Sequence, residues 1–153
     1  MRRRLRRLAD YAVSFALKYY PLSVAWHEAM HHAVGLALGL KCYVALEFLF
    51  VLPEAGHLEI LAWRPLTPLE LWWLYFSGGL LTALFLLLWR LFERDLEDRF
   101  AQMLLAGAQL GYAVAEGVMP FDCALAHTLM GPLTLALSAS MGLFELKLRG
   151  WKV

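Results

Sequence analysis

The chain has 153 residues, enough for one ordinary domain, and 61% of them are hydrophobic against 18% charged. That apolar share lies well above the roughly 45–50% of soluble domains, and a lipid bilayer is the solvent that covers such an excess. A net charge of +1 supplies no global basic field, which argues against nucleic acid as a partner.

The amino end opens with Arg2, Arg3, Arg4, Arg6 and Arg7, followed by an apolar region from Leu8 to Leu40. A secretory signal with Ser23-Val24-Ala25 as its cleavage site would look similar. Lys18 and Tyr19-Tyr20-Pro21 interrupt the run, however, and it continues to residue 40 without a mature domain beginning, so the segment is read as retained. Residues 8–40 in one helix would extend about 50 Å, too far for one perpendicular span, and Pro21 is expected to kink or divide it.

Residues 41–68 change character. Cys42 to Leu52 is rich in aromatics, Pro53-Glu54-Ala55-Gly56 is a turn signal, and His57 to Trp63 is a second short run. This pattern predicts a β-hairpin. Glu47, Glu59 and the open strand edges place it at the membrane surface and not in hydrocarbon.

Residues 69–92 form a second span, with Trp72, Trp73 and Tyr75 near one end and Trp89 near the other, as interfacial aromatics are arranged. A charged connector, Glu93 to Arg99, leads to a third span at 100–119. Pro120 then precedes a fourth at 121–146. With no linker or repeat between them, residues 1–153 read as a single integral membrane domain. The expected fold is all-α and polytopic, with about four transmembrane helices and a small surface β-hairpin between the first two. Lys and Arg collect at the amino end, at the connector (Arg90, Arg94, Arg99) and in the tail (Lys147, Arg149, Lys152), leaving Lys41 and Arg64 for the other side. Both termini are therefore predicted to be cytoplasmic. Cys42 and Cys123 form no CxxC pair and define no disulfide framework.

Inside the first apolar helix stands His27-Glu28-Ala29-Met30-His31. Two histidines four apart project from one helix face and can bind one metal ion through ring nitrogens. Glu28 beside the first ligand is placed to take a proton from a metal-bound water and deliver it to a leaving amine. Zinc lowers the pKa of bound water to about 7 and polarises the scissile carbonyl. Each ionisable group in a bilayer costs on the order of 2.5–3.5 kcal/mol, so His27, Glu28, His31 and His32 together require a compensating purpose. His32 points about 100° away from His31 and is read as an interior polar residue. His57 and His127 lack ligand spacing. Among the carboxylates downstream, Glu116 in the third span is a competent oxygen ligand.

The stretch HEAMHHAVGLALG in a membrane helix resembles the site-2 protease family of intramembrane zinc metalloproteases, whose first core helix carries HExxH followed by small residues and a glycine that Gly39 matches. The order of elements is similar too. The resemblance implies a compact member without a PDZ insertion that takes zinc and acts on transmembrane protein or peptide substrates. It implies a second core helix in which Ser77-Gly78-Gly79-Leu80-Leu81-Thr82 stands where the family carries Gly-Pro and Asn, with Thr82 as a substrate-positioning hydroxyl. It also implies Asp122, in Pro120-Phe121-Asp122, as third ligand beside His27 and His31. The family's following glycine is Cys123 here, and its upstream asparagine is Val114. Asp122 and Glu116 thus stand as alternatives.

Depth is a check on the site that the sequence leaves open. A span drawn from Pro21 places His27 and Asp122 toward opposite sides, whereas entry at Leu8 puts His27 about 28 Å along the helix, level with the end of the third span. An aspartate dipping inward on an unwound third helix would also serve. The function expected is hydrolysis of peptide bonds in or near transmembrane segments, with Glu28 as the catalytic base. The hairpin is either a docking strand for the unwound substrate or a cover. The alternative is a non-catalytic metal-binding membrane scaffold or subunit. A cation transporter is disfavoured by the absence of inverted repeats.

Overall fold

The computed structural model describes residues 10–11, 14–49, 52–62 and 64–148. The basic run Arg2 to Arg7, the start of the first span at Leu8, the hairpin residues Phe50 and Val51, Trp63, Arg149 and Lys152 lie outside them. A π-helical stretch, Ser14–Tyr19, runs into α1 (Tyr20–Ala37). The strands β1 (Lys41–Leu49) and β2 (Leu52–Ala62) follow, then α2 (Pro68–Phe92), α3 (Leu96–Val118) and α4 (Cys123–Leu148). The chain is mostly helical with one antiparallel two-stranded hairpin, in the order expected.

Pro21 does not divide the first helix. It sits in the first turn of α1, where a missing N–H costs nothing, and the π-helical stretch immediately before it absorbs the change of pitch. The Ser23 hydroxyl donates to the Tyr20 carbonyl at 2.8 Å. At the other end Gly39 takes φ 77°, the left-handed conformation that terminates a helix, and the Gly39 and Leu40 amides donate back to Leu36 and Gly35 carbonyls.

The hairpin turn differs from expectation. Leu49 pairs with Leu52 and Phe48 with Pro53, so Pro53-Glu54-Ala55-Gly56 belongs to β2 and not to the turn. A register shift between Glu47 and Phe48 accompanies it. An irregularity near a strand end tolerates proline, which cannot donate to the ladder.

The start of α2 is fixed to the end of α1. Thr67 and Glu70 form a capping box, with the Thr67 amide donating to Glu70 Oε2 at 2.8 Å and the Glu70 amide to Thr67 Oγ1 at 3.3 Å. Arg64 bridges the two helices, its Nη2 2.6 Å from Glu70 Oε1 and its Nε donating to the Leu38 carbonyl at 2.8 Å.

The helix α3 is the centre of the bundle, packed on both α2 and α4. Small residues let the backbones approach. A Cβ at Gly79 of α2 would lie 2.4 Å from the Gln109 carbonyl oxygen and 2.7 Å from the Ala113 amide, and one at Gly107 of α3 would lie 2.4 Å from the Leu137 carbonyl oxygen. Close contact of this kind drives helix association where lipid removes the hydrophobic contrast. Partners rise together along α1 and α3, from Lys18 with Asp98 to His27 with Gln109, so the two helices run parallel.

Among the described residues, two helices, α2 and α4, are long and apolar enough to cross a membrane. Helix α3 carries buried Asp98, Gln102 and Gln109 between them, and α1 is 18 residues long. At the connector end, fully buried Glu145 of α4 receives Arg90 Nε of α2 at 2.7 Å and Arg99 Nε of α3 at 3.1 Å.

Two substitutions are expected to move stability in opposite directions. Glu145→Ala leaves two guanidinium groups without their buried counterion and lowers stability by about 3–5 kcal/mol. Gln102 is 0% exposed and both its amide atoms lack a hydrogen-bond partner, so Gln102→Leu raises stability by about 1–3 kcal/mol. Reversible unfolding of the purified protein in detergent micelles checks both.

Candidate metal centre

The spacing of four in α1 brings His27 and His31 onto one buried face, 6% and 9% exposed, with Nε2 atoms 2.9 Å apart. Their opposite ring nitrogens fix the tautomers. His31 Nδ1 lies 2.6 Å from the Leu74 carbonyl oxygen of α2, which can only accept, so this nitrogen carries the proton. His27 Nδ1 lies 2.7 Å from Gln109 Oε1 of α3 and donates to it in the same way. Both Nε2 atoms are then lone pairs facing each other across a buried gap. A shared cation relieves that repulsion.

A third donor completes the group. Glu116 Oε2 of α3 lies 3.3 Å from His27 Nε2 and 3.7 Å from His31 Nε2, and this buried oxygen makes no hydrogen bond. A tetrahedral zinc with bonds of about 2.0–2.1 Å sets its donors roughly 3.3–3.4 Å apart. The three observed separations bracket that value. Two imidazoles and a carboxylate are a donor set zinc accepts while keeping a fourth position open.

Asp122, the ligand implied by the family resemblance, is not in this cluster. Helix α3 stays wound through Val118 instead of unwinding inward, and Asp122 follows it on the exposed surface, where its Oδ1 accepts from the Leu125 amide at 2.9 Å. It caps the start of α4. Parallel packing of α1 and α3 puts His27 level with Gln109 and Glu116, and that leaves Asp122 beyond the site.

Glu28 is 7% exposed and lines two cavities. One, of about 260 Å³, is bounded by His31, His57, Leu58, Ile60, Leu74 and Tyr75; the other, of about 210 Å³, by Tyr20, Val24, His27, Gln109 and Tyr112. Gly56 of β2 and Glu116 border both. A Cβ at Gly56 would lie 2.5 Å from Glu28 Cγ, so the strand passes directly over the carboxylate. The hairpin and the motif helix therefore form opposite walls of one cleft.

Thr82 does not reach this cleft. It is fully buried one turn below Gly78, and its hydroxyl has no hydrogen-bond partner. The segment Ser77-Gly78-Gly79 serves the site through its small size, because a Cβ at Gly78 would lie 2.2 Å from His31 Nε2. His32 points elsewhere, with Nε2 3.0 Å from the Cys42 carbonyl oxygen. His57 sits on β2, 3.3 Å from Glu59, whose carboxyl is held below its ordinary range by the Tyr43 hydroxyl and by His57. His127 of α4 is exposed and accompanies Cys123. Gln109 was missed at the sequence level. Its signal is there: it precedes Glu116 by seven residues, two turns on the same face of α3.

The chain gives no match to family models, to curated proteins or to solved structures.

Metal retention tests the cluster. Glu116→Gln is expected to lose bound zinc on dialysis, whereas Asp122→Asn retains it at the parent's level. Gly78→Ala, which forces the His31 ring aside, weakens zinc binding by at least the 10–100-fold typical of disturbed ligand orientation. Isothermal titration and elemental analysis of the purified variants read all three.

Proposed function

We propose that this protein is an intramembrane zinc metalloprotease, in which His27, His31 and Glu116 hold the metal and Glu28 is the catalytic base. One observation carries the reading: two Nε2 lone pairs and an unbonded carboxylate oxygen converge within 3.7 Å beside a second carboxylate that borders open cavities. The resemblance of HEAMHHAVGLALG to the site-2 protease family supports the same chemistry, with Glu116 replacing the implied aspartate.

When bound, zinc polarises the scissile carbonyl and lowers the pKa of an attacking water. The residues of the chain do the rest. Gln109 and the Leu74 carbonyl hold the two imidazoles in the metal-binding tautomer. Glu28 takes one proton from water as its oxygen adds to the carbonyl carbon. It returns that proton to the peptide nitrogen as the C–N bond breaks, leaving a carboxylic acid and an amine. A helical substrate must unwind before reaching the cavities that Glu28 borders, because a helical carbonyl is hydrogen-bonded and shielded.

In this reading the four helices cross the membrane in alternating directions, with α1 and α3 parallel, the hairpin running from the far side back beside α1 as far as Glu28, and both termini on the cytoplasmic side. Lys18 with Asp98 and the Arg90–Glu145–Arg99 cluster mark the cytoplasmic end. Arg64 with Glu70 marks the other. The partner is a transmembrane protein or peptide segment presented from the bilayer.

The test uses purified protein in liposomes with a transmembrane peptide. The parent is expected to hold one zinc per chain and to cleave. Glu28→Gln should keep the zinc and reduce cleavage to background, and chelation of the parent should do likewise until zinc is restored. Cleavage that persists in Glu28→Gln would sink the protease assignment. Zinc bound without cleavage in the parent would instead leave a metal-binding scaffold.

A further inference from the structure

Hydrolysis of a peptide develops negative charge on the carbonyl oxygen, and preorganised donors aimed at that position commonly supply the largest single part of the rate enhancement. The second core helix, which the family resemblance would have furnish an asparagine, offers no such donor here: Thr82 is buried away from the cleft. Gln109 is engaged with His27. The donor must come from another side chain bordering Glu28.

We propose that Tyr112 is a catalytic residue whose phenolic hydroxyl donates a hydrogen bond to the developing oxyanion; this rests on the protease reading above. Tyr112 lines the same cavity as His27, Glu28 and Glu116. Its ring stands edge-on to the His27 imidazole, with centroids 6.3 Å apart and planes at 81°, so the ligand itself orients it. It lies one turn before Glu116 and one turn after Gln109, and three successive turns of one α3 face thereby address the site. Its hydroxyl makes no hydrogen bond among the described residues, and at 39% exposure the side chain borders open space. Cavity lining, ring packing on His27 and a hydroxyl without a partner among the described residues together describe a donor positioned but not spent.

Tyr75 is the competing phenol. It lines the other cavity that Glu28 borders, but among the described residues its ring packs on neither histidine, and its backbone neighbour Leu74 is the part of that segment that serves the site. His57 competes less well. It lines the cavity that Tyr75 lines, but its Nε2 lies 3.3 Å from Glu59 Oε1, so its polar edge already has a carboxylate partner on the hairpin. The chemistry balances without a new reagent: Tyr112 donates a hydrogen bond and retains its proton, while Glu28 moves the proton from water to the leaving nitrogen.

The experiment compares Tyr112→Phe with the parent in liposomes. Expected are a fall of about 10²-fold in kcat with KM and zinc content unchanged. Affinity for a phosphinic peptide, whose tetrahedral oxygens stand in for the oxyanion, should fall by a comparable factor. Binding of an uncleaved substrate, measured in the Glu28→Gln background, should not. A kcat within threefold of the parent, a rise in KM with kcat intact, or loss of zinc overturns the proposal, as does the same kcat signature in Tyr75→Phe and not in Tyr112→Phe. Should the parent cleave nothing, the protease reading fails separately. Phosphinic-peptide binding then decides Tyr112, since an affinity equal in parent and Tyr112→Phe rejects the hydrogen bond.

Discussion

Two imidazole lone pairs facing each other at 2.9 Å inside a low-dielectric interior repel, and the rest of the arrangement is organised around that repulsion. The Leu74 carbonyl and the Gln109 carboxamide make it unavoidable by occupying the other ring nitrogens. Glu116 brings a negative oxygen to the same gap without a hydrogen bond of its own. Each of these groups alone would be a liability in the bundle. Together they form a gap that a cation fits, and a bound ion would offset what their burial costs.

Such a site needs three helices at one depth and at short range. Glycine provides the range: Gly78 admits the His31 ring, and Gly79 admits the backbone of α3 at Gln109 and Ala113. Adjacent residues of α2 thus touch the site from both sides, one against a ligand and one against the strut of the other ligand. Ion pairs provide the depth. Lys18 with Asp98 sets α1 against α3 at one end, and Arg64 ties the Leu38 carbonyl at the end of α1 to Glu70 at the start of α2. Sliding α1 by one turn would break these anchors and separate His27 from Gln109 simultaneously.

The local parts of this design were legible in the sequence, and the relational parts were not. HEAMH predicts two ligands and a base because helix periodicity alone puts positions four apart on one face. The choice between Glu116 and Asp122 depends on the depth of α1 relative to α3, and no pattern within either segment encodes it. Pro120-Phe121-Asp122 carried a family-like signature, yet the aspartate serves as a helix cap once α3 remains wound to Val118. The same limit explains the hairpin. Pro53 and Gly56 read as a turn, but cross-strand register places both within β2 and leaves Gly56 where a strand crosses Glu28. Gly78 was visible as a small residue; that it makes room for an imidazole is a property of two helices.

Helix α3 shows why the site lies where it does. Its buried polar positions Gln102, Gln109 and Glu116 recur every seven residues, so they follow one face down a helix flanked by the two apolar helices α2 and α4. A polar face of this kind is unfavourable against lipid and is tolerated where protein covers it. The ligand face of α1 covers the part from Gln109 onward, and there the polar groups acquire partners or converge on the cation gap. Gln102, nearer the connector, is buried with neither. The polar stripe thus meets polar partners only along the length where α1 presents His27 and His31, and the motif helix and α3 each bury the other's polar groups.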